Sequence, residues 1–289
     1  MNQINTGESR FFSLEYFPPR EQAGRERLVA TTKQLLEMDP AYISVTYGAG
    51  GSTREGTEET VQMISALGCE AVPHLACMGS QPKDVIEILD NYRAKGIRNI
   101  VALRGDLPSG MGLADSPLRY ATDLVRLIRE HAGDWFSVKV AAYPEMHPQA
   151  DSFDEDLDNF VAKVDAGADM AITQYFYNAD AYWDFVDRAQ AKGVNIPIVA
   201  GIMPITNYTK LARFSKMCGA ELPRWIAKRL ESYGDDVQSI LAFGHDVVTR
   251  LCDDLRRHGA PGIHFYTLNQ AEPALKIWRA LQAKYIAKN

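Results

Sequence analysis

A pattern recurs along this chain and leaves few folds open to it: a short apolar run, a loop rich in glycine, proline or polar residues, then an amphipathic stretch of helical length. Eight apolar runs read as strands, at 11–17, 42–47, 71–77, 99–105, 137–143, 170–176, 196–202 and 262–268. A helical stretch follows each: the first is predicted over about 25–38, and the others begin near Thr57, Pro82, Ser116, Phe153, Asp180, Asn207 and Pro273. Pro82 suits a first helical turn, where its missing N–H has no partner to lose. Between the seventh and eighth strands, 222–258 reads as two additional helices, with Asp235 the expected cap of the second.

Strand and helix alternating in this way predict an α/β fold, a closed parallel (β/α)8 TIM barrel with extra helices between strands seven and eight. The 289 residues match one such domain, over 1–289, since barrels of this kind usually take about 250 residues. The competing architecture is an open doubly wound sheet. That fold announces its dinucleotide site by a glycine-rich turn after the first strand, and here the first strand ends in Pro18-Pro19. The later loop Gly48-Ala49-Gly50-Gly51-Ser52-Thr53 does not supply the turn, because the motif needs glycine where Thr53 stands.

Composition narrows the functional classes. A net charge of -6 with no run of Lys or Arg argues against binding nucleic acid or an anionic membrane, so an anionic ligand would rely on local positive residues. Cys69, Cys77, Cys218 and Cys252 are scattered without metal or disulfide spacing, which predicts no bound metal and fits a reducing cytoplasm. Residues 1–7 show no basic and apolar leader, and no apolar run is long enough to span a membrane, so a cytoplasmic location is expected.

The first strand, Phe11-Phe12-Ser13-Leu14-Glu15-Tyr16-Phe17, sets the polarity of the interior. Its side chains alternate, so Ser13 and Glu15 face opposite to Phe12, Leu14 and Tyr16. Turning the large apolar residues outward puts Ser13, Glu15, Ser44, Thr46 and His74 inside the barrel. The same rule assigns Ala102, Arg104 and Asp106 inward from strand four, and Lys139, Ala141 and Tyr143 from strand five; strand six ends at Gln174. Each has a plain alternative: His74 as a core histidine, Arg104 and Asp106 as a pair, Gln174 as a strand cap. Together they gather late in their strands, at the face where barrels build active sites. Glu15 and Asp106 suit a proton donor and a charge stabiliser, a pair that a glycosidase would also use. Lys139 suits a Schiff-base aldolase, because burial lowers an amine's pKa. A barrel that only binds a ligand is the third option.

Eight blocks in order give the chain a family resemblance: LEYFPPR from Leu14, SVTYGAGGSTRE from Ser44, PHLACMG from Pro73, ALRGD from Ala102, AAYPEMHPQA from Ala141, DAGADMAITQYFY from Asp165, GIMPITNY from Gly201 and HFYTLN from His264. They resemble the bacterial FAD-dependent 5,10-methylenetetrahydrofolate reductases. The resemblance implies an oxidoreductase in which NADH or NADPH reduces FAD, and the flavin then reduces methylenetetrahydrofolate to 5-methyltetrahydrofolate for methionine synthesis, the two substrates taking turns. It implies Glu15 as the acid, its pKa raised by shielding from water, and Asp106 as the carboxylate beside flavin and folate. Gln174, Phe214, Lys210 and Gln270 fall at folate-contacting positions; Gln270 stands where close relatives have arginine, Lys210 differs in type from its counterpart, and Tyr16 replaces the commoner phenylalanine.

For FAD the resemblance implies Thr46, Tyr47, His74, Arg104, Gly105, Asp106, Tyr120, Ala121, Tyr143, His147, Ala150, Asp156, Asn159, Ala162 and Lys163. Asp156, Asn159 and Lys163 recur at helical spacing on one face. Lys163, Arg104 and His147 are the positive groups that a pyrophosphate needs. Homo-oligomers are expected from the relatives. One helix follows Leu268, so the S-adenosylmethionine-responsive domain of eukaryotic relatives is not expected.

Overall fold

The structure, a computed structural model, describes residues 11–47, 54–106 and 116–286. The N-terminal stretch 1–7 and the loop 48–53 discussed above lie outside them. Strands β1 (Phe12–Tyr16), β2 (Ile43–Val45), β3 (Ala71–Ala76), β4 (Asn99–Leu103), β5 (Ser137–Ala142), β6 (Met170–Thr173), β7 (Ile198–Ile202) and β8 (Ile263–Tyr266) close into a parallel barrel in chain order. β8 returns to β1 with Ser13 opposite His264 and Glu15 opposite Tyr266, while Glu15 meets Ser44 of β2 on its other side. This register brings the polar residues of the first strand level with those of β2 and β8.

Helices α1 (Gln22–Leu35), α2 (Arg54–Ala66), α3 (Pro82–Ala94), α4 (Ala121–Ala132), α5 (Phe153–Asp165), α6 (Ala179–Ala191) and α7 (Tyr208–Cys218) follow the first seven strands. The two extra helices are α8 (Arg224–Tyr233) and α9 (Val237–Arg257), and α10 (Glu272–Ile286) follows β8. Asp236, not Asp235, caps α9: its carboxylate accepts from Ser239 N at 3.1 Å and from the Ser239 hydroxyl at 2.6 Å. α4 begins at Ala121, later than Ser116, because the Ser116 hydroxyl donates to Leu118 O at 2.7 Å and holds the approach in a turn. Among the described residues no helix is long and apolar enough to cross a membrane.

Two apolar layers hold the barrel. Phe12, Leu14 and Tyr16 belong to the large core between strands and helices, and Leu14 is fully buried there. A buried leucine of this kind contributes about 1.5–3 kcal/mol. The smaller cluster, Tyr42, Val72, Val101 and Ile172 with Leu103 against it, fills the barrel interior. It corrects the expectation for β4, since Val101 and Leu103 face inward and Ala102 packs in the outer core. Asn-Ile-Val-Ala-Leu has no polar alternation to reveal its parity, and a slip of one residue exchanges the faces. Arg104 and Asp106, which set the expected parity, lie beyond the strand; Gly105 between them has φ +82°, so strand alternation does not govern them.

The N-terminal end of the barrel is plugged by Lys139. Its ammonium donates to Asn99 Oδ1 at 2.5 Å and lies 4.9 Å from the Tyr42 ring centre, while Asn99 in turn donates to Glu70. Burial lowers the Lys139 pKa to about 8, against the attraction of Glu70 and Asp169.

Candidate active site

At the opposite, C-terminal end, the register gathers Glu15, His74 and His264. Oε2 of Glu15 lies 3.4 Å from His74 Nε2 and 3.5 Å from His264 Nε2. The Glu15 side chain is 18% exposed, whereas those of His74 and His264 are 6% and 0% exposed, so the carboxyl is the part of this cluster that reaches solvent. Burial lowers the His74 pKa; Glu15 opposes the shift and His264 adds to it. His264 Nδ1 is held 2.8 Å from Ser13 Oγ, one step deeper on β1. Thr267 Oγ1 donates to Glu15 O at 2.7 Å and fixes the backbone of the acid.

The end of β1 cannot continue its ladder past Pro18. Asn269 substitutes for a strand: its Oδ1 accepts from Phe17 N at 3.1 Å and its Nδ2 donates to Phe17 O at 2.8 Å. Leu268 and Asn269 both take left-handed backbone, φ 49° and 57°, to turn that amide back toward β1. Across the mouth Tyr266 donates to Thr173 O at 2.8 Å. Gly201 is required there: a Cβ on it would sit 2.0 Å from Thr173 O and 2.8 Å from the Tyr266 ring.

A second group of predicted residues forms the wall on the β5 side. The Tyr143 and His147 rings meet edge to face at 4.6 Å, and Asp156 accepts from His147 N at 2.8 Å. Lys163 donates to Ala141 O at 2.5 Å, and burial lowers its pKa to about 8 against the pull of Asp156. Burial pushes the Tyr143 phenol up to about 12, with Asp156 adding and Arg104 opposing. Burial and then the charge of Arg104 lower the His147 pKa. Arg104 is thus within electrostatic reach of both rings despite lying beyond its strand. Burial raises the Asp156 pKa.

The remaining predicted residues are distributed unevenly. Thr46 sits at the end of β2, its hydroxyl buried, with Tyr47 half-buried beside it. Gly105 passes so close to β3 that a Cβ would lie 2.9 Å from Ala76 Cβ. Asp106 is exposed at the mouth, and its charge reaches Tyr143. Gln174 accepts from Tyr175 N at 3.0 Å through its amide oxygen. Tyr120 is 51% exposed at the start of α4 and Phe214 is 39% exposed on α7. Ala121, Ala150 and Ala162 are half-buried, while Asn159, Lys210 and Gln270 are exposed. On the face expected on α5, Asp156 and Lys163 reach the barrel, and Asn159 between them is exposed. Sequence reasoning missed His264, Tyr266 and Asn269; the outward Phe265 between the first two was the available signal.

Glu145, also unassigned from sequence, links this wall to the turn after α7. Its Oε2 accepts from Glu221 N at 2.7 Å, and burial raises its pKa to about 7.

A closed barrel whose polar side chains assemble at the C-terminal mouth defines the class, a (β/α)8 barrel enzyme. The methylenetetrahydrofolate reductase family model matches residues 1–282. Over 270 residues the chain is 40% identical to 5,10-methylenetetrahydrofolate reductase of Escherichia coli (strain K12), covering 93% of this chain and 90% of that one. It is 36% identical over 279 residues to methylenetetrahydrofolate reductase (NADH) 1 of Arabidopsis thaliana, covering 92% of this chain and 47% of that longer protein. A Clostridium thermocellum protein of known structure, described as uncharacterized and as binding two copies of 5-methyl-5,6,7,8-tetrahydrofolic acid, shares the fold with a TM-score of 0.65 at 17% identity, with 96% of each chain covered. The chain belongs to the methylenetetrahydrofolate reductase family and is an oxidoreductase.

Proposed function

We propose that the chain reduces 5,10-methylenetetrahydrofolate to 5-methyltetrahydrofolate, with NADH or NADPH as electron source and FAD as the resident carrier, the two substrates alternating at one mouth. The observation that carries this is the carboxyl of Glu15, set between two buried imidazoles at the C-terminal end and open to solvent on its remaining side. Opening the methylene bridge requires a proton on the departing folate nitrogen, and a carboxylic acid there donates it. Asp106, exposed at the same mouth, favours the cationic one-carbon unit that results.

Three features fit FAD. Thr46 Oγ1 is buried with no hydrogen-bond partner among the described residues, and such a group stays in a fold where a ligand completes it. Arg104 and Lys163 bring positive charge together beside the neutral His147 ring in an otherwise acidic chain, as a pyrophosphate demands. Gly105 keeps the end of β4 bare. Bound FAD supplies two-electron transfer between nicotinamide and the one-carbon unit. Thr46, His74, Arg104, Tyr143, His147, Asp156 and Lys163 hold it, and Gln174 and Phe214 orient the pterin. Lys139 takes no part, since its amine is bonded to Asn99 at the other end of the barrel, which removes the aldolase reading's nucleophile from the mouth.

An absorbance spectrum of the purified protein tests the reading. Flavin bands that bleach anaerobically with NADH or NADPH and return on adding methylenetetrahydrofolate are expected; a colourless protein, or bleached flavin that methylenetetrahydrofolate leaves reduced, contradicts it.

A further inference from the structure

Both imidazoles beside Glu15 approach the same oxygen. His74 comes from β3 and His264 from β8, and their Nε2 atoms lie 3.4 and 3.5 Å from Oε2. Each Nε2 is buried and lacks a hydrogen-bond partner among the described residues. On its far side His264 is fixed: Nδ1 is 2.8 Å from Ser13 Oγ, and the ring packs edge to face against Tyr266 at 5.4 Å and over Tyr42 at 5.9 Å. A fully buried imidazole clamped on its other edge and faces has one polar direction left, toward the acid.

We propose that His264 is a positioning residue for Glu15, and that Ser13 selects its tautomer. This rests on the reading of Glu15 as the proton donor. In this arrangement the Ser13 hydroxyl donates to Nδ1, which leaves the ring proton on Nε2, the edge nearest Oε2. At 3.5 Å the contact is long, and such contacts tighten when substrate closes a site. An N–H bonds a carboxylate more strongly than a neutral acid, so His264 stabilises the charge that appears as Glu15 gives up its proton. Occupying Oε2 also leaves Oε1 to hold the proton for the substrate. In the step itself the Oε1–H bond breaks and an N–H bond forms on the folate nitrogen. The bond from that nitrogen to the methylene carbon breaks with its electron pair moving to nitrogen. Water then returns a proton to Glu15 before the next turnover.

Among the described residues, the ionisable groups that face Glu15 are Tyr42 ahead of β2, His74 on β3, and Tyr266 and His264 on β8. Burial raises both tyrosines and lowers His74, so these three remain neutral near pH 7. A change in the titration of Glu15 on altering His264 therefore reports their contact.

The test compares two amides in the holoenzyme. His264→Gln places its nitrogen about where Nε2 lies, and His264→Asn about where Nδ1 lies. Two quantities are read: the pH titration of the Glu15 carboxyl by carbon-13 NMR, assigned by its loss in Glu15→Gln, and the reoxidation of reduced flavin by methylenetetrahydrofolate. His264→Asn is expected to raise the Glu15 pKa and slow reoxidation at least about 10-fold, the usual scale for a hydrogen bond to a charged group. His264→Gln stays close to the parent in both. Flavin content and its reduction by nicotinamide remain normal in each, which reports intact folding; if both variants lose flavin, Ser13→Ala supplies the same two readings and is expected to move them in the direction of His264→Asn. Equal effects of Asn and Gln, or an unmoved Glu15 titration, overturn the positioning role alone. A parent protein whose reduced flavin ignores methylenetetrahydrofolate overturns the proposed function as well.

Discussion

At the N-terminal end of the barrel Lys139, Asn99 and Glu70 are bonded to one another, whereas at the C-terminal end Thr46 Oγ1 and the Nε2 atoms of His74 and His264 are buried without hydrogen-bond partners among the described residues. Both ends enclose polar groups inside an apolar wall of similar make. They differ in that, among the described residues, the first set is bonded within itself and the second is not. Leaving a buried polar group unpaired costs about 1–3 kcal/mol, so the Thr46 hydroxyl is tolerated where a ligand supplies the missing partner. On the proposed function the closed end is a stability device and the open end a binding one.

The largest test of this contrast is Glu15→Gln, which keeps shape and polarity but removes the transferable proton. Turnover should fall about 10²- to 10⁴-fold, or roughly 3–5 kcal/mol of barrier, in steady-state assays. Thermal stability should change little.

Lys139→Met probes the closed end. Because the folded pKa is about 8, below the ordinary 10.5, the unfolded state binds more protons between those values, and stability rises with pH across that window. The gain attributable to Lys139 is as much as about 3 kcal/mol. The variant should lose this rise, measured by urea unfolding at a series of pH values, and keep both flavin reduction and reoxidation. A lysine acting in the chemistry would show the reverse.

Thr46→Val should leave the flavin-free protein as stable as its parent, since the hydroxyl it removes has no partner among the described residues. FAD affinity should fall about 5- to 30-fold, or 1–2 kcal/mol, by fluorescence titration. Loss of stability without loss of affinity would place Thr46 with the structural residues.

The smallest effect is expected for Glu145→Gln. Its folded pKa of about 7 lies above the ordinary 4.5, so the stability it contributes is present below about pH 4.5 and lost as pH rises through 7. The permanently neutral variant should gain on its parent over that window by about 1 kcal/mol or less, after discounting for solvent screening. A flat difference would show that Glu145 is ordinarily solvated.

The alternation of β1 was legible because every second residue from Phe12 to Tyr16 is large and apolar, and it led directly to Ser13 and Glu15. β4 was not, because Ile100, Val101, Ala102 and Leu103 offer no contrast between faces. Arg104 and Asp106 stood in for the missing signal, although Gly105 had already ended the strand. Lys139 was rightly placed inside, yet strand parity carries no information about which end a long side chain reaches; Asn99 and Glu70 decide that from neighbouring strands. Asn269 was invisible for a related reason. Its role depends on two consecutive left-handed residues meeting a strand that is 252 positions away in the chain.

The central claim, that Glu15 at the open end serves the folate step and not the nicotinamide step, is tested most directly by anaerobic stopped-flow on Glu15→Gln. Bleaching of the flavin by NADH or NADPH and its recolouring by methylenetetrahydrofolate are followed separately. The account predicts bleaching at nearly the parent rate and recolouring slowed by at least about 10²-fold. Equal slowing of both steps would make Glu15 structural, and unimpaired recolouring would mean that another group supplies the proton.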